Sequence, residues 1–227
     1  PNEEGLTVDG WFLGSTTGTE YDPSSGTSVN VSAVSNSAEN NVIKFYATSE
    51  AITPTITVSV TNGTAKSGSD FTLDSTSDTA STGTFTVAYE GSATITFAPQ
   101  EGYALDSVKV NGAYVAFDAL NNGTYAFSSV IKDQSIEVVY ALDENDDGVP
   151  DKHQATVTYQ VVNGTWDGED SENKEEVFTI EQYNPNTGNW DSIEATLGNT
   201  IPENMQPNEG FTAEGAWNQT ISSETQV

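Results

Sequence analysis

The chain has 227 residues, 35% of them apolar, and carries 34 acidic against 6 basic side chains for a formal net charge of −28. That length allows one large or several small domains of the usual ~100–150 residues, and the charge opposes phosphate backbones and anionic lipid surfaces, which basic side chains must neutralise. All six basic residues are lysine and cysteine is absent, which excludes a disulfide scaffold and thiol chemistry and argues against nucleic-acid binding.

No run of about 18 apolar residues spans a bilayer, and the first residues lack the basic and apolar regions of a signal peptide, so the chain as given is expected to be soluble without membrane insertion. Alternation at period two is the dominant pattern, and no segment has convincing helical periodicity. Residues 1–51 run from PNEEGLTVDGW through GWFLGSTTGTEYDP and a polar loop to NNVIKFYAT as a closing strand. Residues 52–141 carry TITVSVTNGT (55–64), GTFTVAY (83–89), SATITFAP (92–99), DSVKVNGAYVAF (106–117), GTYAFSSV (123–130) and SIEVVYA (135–141), all reading as half-buried strands. An acidic stretch, LDENDDGVPD (142–151), separates these from ATVTYQVVNGTW (155–166) and NKEEVFTIEQY (173–183), the latter suiting a strand or a short amphipathic turn. Asn-Gly pairs at Asn62, Asn111, Asn122 and Asn163 predict type I′ hairpin turns, which need positive φ at both central positions.

Three segments align with one another: PNEEGLTVDGW (1–11), PQEGYALDSV (99–108) and PNEGFTAEGAW (207–217). Each joins Pro, an amide residue, Glu, Gly and a large apolar residue to a following strand, and a short sequence recurring at comparable depth marks a connector inside a repeated module. The expected domains are the C-terminal part of a module at 1–51, a complete module at 52–141, a linker at 142–152, and a third module at 153–227 lacking its last strand. The fold class expected is mainly β, with tandem small β-grasp-like or β-sandwich-like modules in an elongated array. A missing strand leaves an open sheet edge, which a longer array covers or which the N-terminal half of another chain completes head to tail.

The ITVSVTNGTA opening, GSATITFAPQEGYALDSVKVNG core and closing SIEVVYA resemble the divergent B repeats of listerial internalins and related bacterial surface proteins. HQATVTYQVVNGTWDG with GNTIPENMQPNEGFTAEGAW is similar to modules of long surface proteins of gut Firmicutes, whose neighbours include mucin-binding-type modules. The resemblance implies a β-grasp-like repeat outside a Gram-positive cell, attached to its wall through regions beyond this chain, with no catalytic residues to carry over.

Within the acidic stretch, Asp143, Asn145, Asp147, Gly148 and Asp151 follow D-x-N-x-D-G-x-x-D, the opening positions of an EF-hand-like loop. Calcium takes six to eight oxygens, which alternate side chains of a tight loop supply, with Val149 adding its carbonyl and Gly148 allowing the sharp turn. Gln154 stands where the bidentate Glu would be, so the loop is closer to those of dockerins and thrombospondin type 3 repeats. Calcium at Asp143, Asn145, Asp147, Val149 and Asp151 is the cofactor expected, against the alternative of a solvated spacer.

No enzyme is expected: His153 is the only histidine, pairs of carboxylates are inevitable among 34 acids, and neither a phosphate loop nor a nucleophile elbow occurs. His153 itself reads as incidental, at the start of a strand. Tryptophans supply core bulk or ligand contact, and Trp190, in the least repetitive stretch, is the one expected to meet a ligand. A Lys–Asn isopeptide bond from Lys44, Lys109 or Lys132 is disfavoured, since strand lysines point to solvent. The function expected is the stalk or adhesive region of a cell-surface protein with a calcium-stiffened junction; the alternative is a carbohydrate- or host-protein-binding module. The partner expected is a host glycan or protein, on a chain that is monomeric or joined in a head-to-tail array.

Overall fold

In the computed structural model, residues 6–13, 19–20, 45–166, 172–198, 201–202, 205–212 and 222–227 are described. They are mainly strand. The strands are β1 (Leu6–Leu13), β2 (Thr19–Glu20), β3 (Phe45–Ala51), β4 (Thr55–Thr61), β5 (Gly63–Ser67), β6 (Phe71–Ser75), β7 (Ser81–Thr86), β8 (Gly91–Pro99) and β9 (Tyr103–Val110). They continue as β10 (Ala113–Tyr114), β11 (Thr124–Val130), β12 (Gln134–Leu142), β13 (Gln154–Gln160), β14 (Gly164–Trp166), β15 (Asn173–Thr179), β16 (Glu181–Asn184), β17 (Asn189–Ser192) and β18 (Met205–Pro207). NKEEVFTIEQY therefore resolves as strand, its β-branched and aromatic residues prevailing over the helical alternative.

The sheets are ordered β2-β1-β3, β10-β9-β12-β4-β7 and β11-β8-β5-β6, with two-stranded pairs β13-β15, β14-β18 and β16-β17. The chain divides into two compact units, one of Pro1–Ile56, Thr84–Thr94 and Ala126–Gln134, the other of Thr57–Gly83, Ile95–Tyr125 and Ser135–Val227. The first holds the β2-β1-β3 sheet. In it, the Thr55 N–H donates to Asp133 Oδ1 at 2.8 Å, which holds that carboxyl below its ordinary range. The second unit holds every residue of the two sites described below.

Alternation decides the core. Val58 and Val60 of β4, Ile95 of β8, Val108 of β9 and Val138 of β12 are fully buried, while their sequence neighbours face outward or lie half-buried. A smaller cluster of Tyr159, Val161, Trp166 and Leu197 forms beside β13 and β14, with Trp166 Nε1 donating to the Tyr159 carbonyl at 2.9 Å. Trp166 is thus core, Trp11 is half-buried, and Trp217 lies outside the described residues.

The Asn-Gly pairs divide into two kinds. Asn111-Gly112 and Asn122-Gly123 have positive φ at both residues, as two-residue hairpins need. At Asn62-Gly63 and Asn163-Gly164 only the asparagine is left-handed, and the chain passes into a different sheet. Glycine is required there for room: a Cβ on Gly63 would lie 2.5 Å from the Ala98 carbonyl oxygen, and one on Gly164 would lie 2.6 Å from that of Gln206.

The sequence repeat recurs in the local structure of its second and third copies. Gly63 is opposite Pro99 and Gly164 is opposite Pro207. The Gln100 N–H donates to the Asn62 carbonyl at 3.0 Å, and the Asn208 N–H to that of Asn163 at 2.9 Å. Gly102 and Gly210 both have positive φ. The first five residues of the N-terminal copy lie outside the described residues, but β1 shares a register feature with β9. Asp9 of β1 and Asp106 of β9 are each the extra residue of a bulge, opposite the steps Thr48–Ser49 of β3 and Val139–Tyr140 of β12.

Candidate functional site

Bulges re-aim side chains, and the one at Asp106 does so for a buried carboxylate. Asp106 Oδ1 lies 2.8 Å from His153 Nε2 and 2.8 Å from Lys152 Nζ. The other ring nitrogen, Nδ1, is 2.5 Å from Glu181 Oε2. His153 is buried, so the sequence reading of an incidental residue is corrected. Its imidazole ties β9, the turn Asp151–His153 and β16 together. A neutral ring donates from one nitrogen only, so both carboxylates are served when the ring carries two protons or one carboxyl keeps its own. The two carboxylates flank opposite edges of the ring and do not share one metal ion, and among the described residues no group of three or more His, Asp or Glu is gathered for a metal.

Trp190 stacks on His153 with centroids 3.9 Å apart at 13°, and its indole N–H donates to the Asp106 carbonyl at 2.9 Å. Beside it Tyr183 stacks on Phe117 at 3.7 Å, and its hydroxyl accepts the Phe117 N–H at 2.7 Å. Burial is the main cause that raises the Tyr183 phenol pKa, opposed by that N–H. The turn of the β16–β17 hairpin closes with Asn184 accepting the Gly188 N–H at 2.9 Å. Gly188, at φ 69°, runs so close to Val115 that a Cβ would meet its carbonyl oxygen at 2.7 Å. Trp190, Tyr114, Ser107, Lys152, Glu181 and Asp191 line an open cleft of about 500 Å³. The structure thus places Trp190 at a cleft with one ring face and its N–H already engaged.

The acidic stretch is an ordered loop. Asp143 is buried, and its Oδ1 and Oδ2 accept the N–H groups of Asp147 at 3.2 Å and Gly148 at 2.9 Å. Asn145 Oδ1 accepts the Asp147 N–H, Asp147 Oδ1 the Val149 N–H, and Asp151 the Glu144 N–H at 3.2 Å. Gln154 Nε2 donates to Asp147 Oδ2 at 2.7 Å, the main reason that this carboxyl is held below its ordinary range, with the Val149 N–H and the Asn145 amide adding to it. Left-handed Asp146 and Gly148 make the tight turn, and buried Pro150 leads out of it. All five sequence-predicted positions, 143, 145, 147, 149 and 151, therefore lie on one self-bonded loop, with Gln154 reaching into it.

The loop's side chains carry oxygens of the kind calcium takes, although among the described residues its Asp143, Asp147 and Asp151 are not gathered as a metal-holding group. Every side chain offers hard oxygen, and the Asp143 carboxylate, with about four lone-pair sites, keeps capacity beyond the two N–H groups it accepts. The Gln154 Oε1 accepts from the Asn145 side-chain amide at 3.3 Å.

No family model, curated protein or solved structure matches this chain.

The site residues missed by sequence reasoning are Asp106 and Glu181. They lie 47 and 28 positions from His153, and neither has a neighbouring motif. Of the lysines weighed for isopeptide chemistry, Lys109 binds Glu137 at 2.9 Å and lies over the Tyr114 ring, and Lys44 lies outside the described residues. The Glu137 hydrogen bond is the main cause that raises the Lys109 pKa.

Proposed function

We propose that this chain is a non-catalytic stretch of an extracellular bacterial surface protein, a stalk or adhesive region built of repeated β modules in an elongated array, in which calcium stiffens a junction. The observation that carries the reading is the closed loop between β12 and β13, whose Asp143, Asn145, Asp147 and Asp151 side chains turn inward on their own backbone. Those four side chains and the Val149 carbonyl would hold the ion, which offsets the repulsion of clustered carboxylates in a chain of net charge −28. The resemblance of residues 52–227 to surface-protein repeats supports the setting, and the tie of His153 to Asp106 and Glu181 supports a stiff exit from the loop.

Calcium titration calorimetry with thermal unfolding in calcium and in EDTA tests it. Saturable heat is expected, with an affinity in the weak extracellular range of about 10⁻⁴–10⁻³ M. At a hundredfold excess over Kd the added stability is about 2.7 kcal/mol. Both signals vanish in Asp143→Ala/Asp147→Ala. Identical melting curves in calcium and EDTA would leave the loop a self-bonded spacer.

The cleft beside Trp190 favours a second reading, a carbohydrate- or host-protein-binding module. Its mixture of an aromatic edge, carboxylates and an amine suits the hydroxyls and C–H faces of a sugar. Glycan-array binding lost in Trp190→Ala would support it, and a blank array would remove it.

A further inference from the structure

The β16–β17 hairpin belongs to one stretch of the chain by sequence and to another by contact. It follows β15 directly: the Ile180 N–H between them donates to the His153 carbonyl at 3.0 Å, and the Ile193 N–H, just past β17, donates to the Ile180 carbonyl at 2.9 Å. Its two strands have four residues each, and a hairpin of that size is marginal in water on its own. The contacts of its faces therefore decide whether it stays folded.

The inward face is the cross-strand pair Tyr183 and Trp190, with ring centroids 5.6 Å apart at 64°. Tyr183 stacks on Phe117 and accepts the Phe117 N–H, 66 positions away in the chain. Trp190 turns an edge to the same Phe117 ring at 6.3 Å and donates its indole N–H to the Asp106 carbonyl, 84 positions away. At the tip, buried Gly188 lies against the Val115 backbone. The outward face, Gln182 opposite Asp191, is exposed. The aromatic side of the hairpin thus packs on β9 and the segment Val115–Phe117, although the chain delivers it from β15.

His153 lies where the two regions meet. Its carbonyl holds Ile180 next to the first ladder pair of β13 and β15, Gln154↔Thr179. Its ring lies between Asp106 of β9 and Glu181 of β16, under the Trp190 indole. Seating the hairpin on β9 therefore fixes the end of the β13–β15 ladder, and unseating it frees that end.

We propose that the hairpin is a clasp: the β13–β15 pair, with the cluster of Tyr159, Val161, Trp166 and Leu197 beside it, depends for its stability on the hairpin's hold on Phe117, Val115 and Asp106, and opens with it as one unit. The clasp goes beyond the calcium-stiffened junction and does not rest on it, since none of positions 143, 145, 147, 149 and 151 takes part in these contacts.

Native-state hydrogen exchange of the full chain, read residue by residue in EDTA so that calcium enters neither outcome, is the test. Phe117→Ala removes the stacking surface from the β9 side and leaves the sequences of the hairpin, β13 and β15 intact. The amides of Val157 and Tyr159 in β13 should lose protection by about tenfold or more, while those of β4 and β12 keep theirs. Should Phe117→Ala loosen β12 as well, Tyr183→Ala makes the same break from the hairpin side and decides. In a double-mutant cycle, Phe117→Ala/Tyr183→Ala should deprotect β13 no more than the larger single loss, because both remove one contact. Protection of β13 unchanged in the single variants overturns the proposal, as do losses confined to the hairpin or additive losses in the double variant.

Discussion

The segments β4–β5 and β13–β14 are built from one local pattern and end in different surroundings. Both place alternate apolar residues before Asn-Gly, and both pack the glycine against the carbonyl that precedes a proline. Around β4 the two neighbouring strands β12 and β7 let aliphatic Ile56, Val58 and Val60 be fully buried. Around β13, with one described neighbour, the equivalent positions are Val157, which stays half-buried, Tyr159 and Val161, and Trp166 stands where the first segment has Ala65. The larger Tyr159 and Trp166 are buried there in a cluster of their own with Val161 and Leu197. The local pattern thus determines the turn and the glycine contact, and the surroundings determine which side chains fill the core behind it.

The largest break in this comparison comes from truncating the two cores. Ile136→Ala, at a β12 position 1% exposed, should cost about 2–5 kcal/mol, whereas Val157→Ala should cost about 1 kcal/mol or less, both read from urea midpoints at constant slope. Equal costs would mean that the two regions are enclosed alike.

The paired glycines sharpen it. Gly63→Ala sets a Cβ against a carbonyl oxygen at 2.5 Å and the Tyr140 ring at 2.7 Å, and should cost about 3 kcal/mol. Gly164→Ala meets one carbonyl at 2.6 Å beside a three-residue strand pair that can shift, and should cost about 1 kcal/mol. A reversed order in chemical denaturation would contradict the difference in neighbours.

Alkaline titration probes the central side through Tyr140. Burial pushes the Tyr140 phenol up from 10.0 to about 12. Because the folded value is raised, the associated stability is complete below pH 10 and is lost as pH rises toward 12. The loss amounts to roughly 2–3 kcal/mol from a two-unit shift. Tyr140→Phe should flatten this part of the stability profile, and a profile unchanged by the substitution would show that another group titrates there.

The smallest effect expected is at the cleft. Trp190→Phe keeps an aromatic ring over His153 but deletes the N–H bond to the Asp106 carbonyl, for about 1 kcal/mol. A cost near zero in thermal unfolding would mean that solvent replaces the indole donor.

Period-two patterning made most strands legible, because a half-buried strand must alternate whatever its partners are. It missed β6 (FTLDS), too short and polar to stand out. The EF-hand-like spacing located the loop residues because they lie within a dozen positions of one another and bond locally. The buried histidine was not legible. His153 depends on Asp106, re-aimed by a one-residue slip in register, and on Glu181, brought in by a separate hairpin, and no local pattern encodes either placement.

The sequence by itself determined a mainly β chain without thiol chemistry, its repeated connector, its Asn-Gly turns and the acidic loop, because each depends on residues close together in the chain. Tertiary structure alone decided which Asn-Gly pairs are hairpins and which aspartate is bulged and buried. Those outcomes depend on sheet order and register, which arise when strands far apart in sequence compete for the same backbone hydrogen bonds.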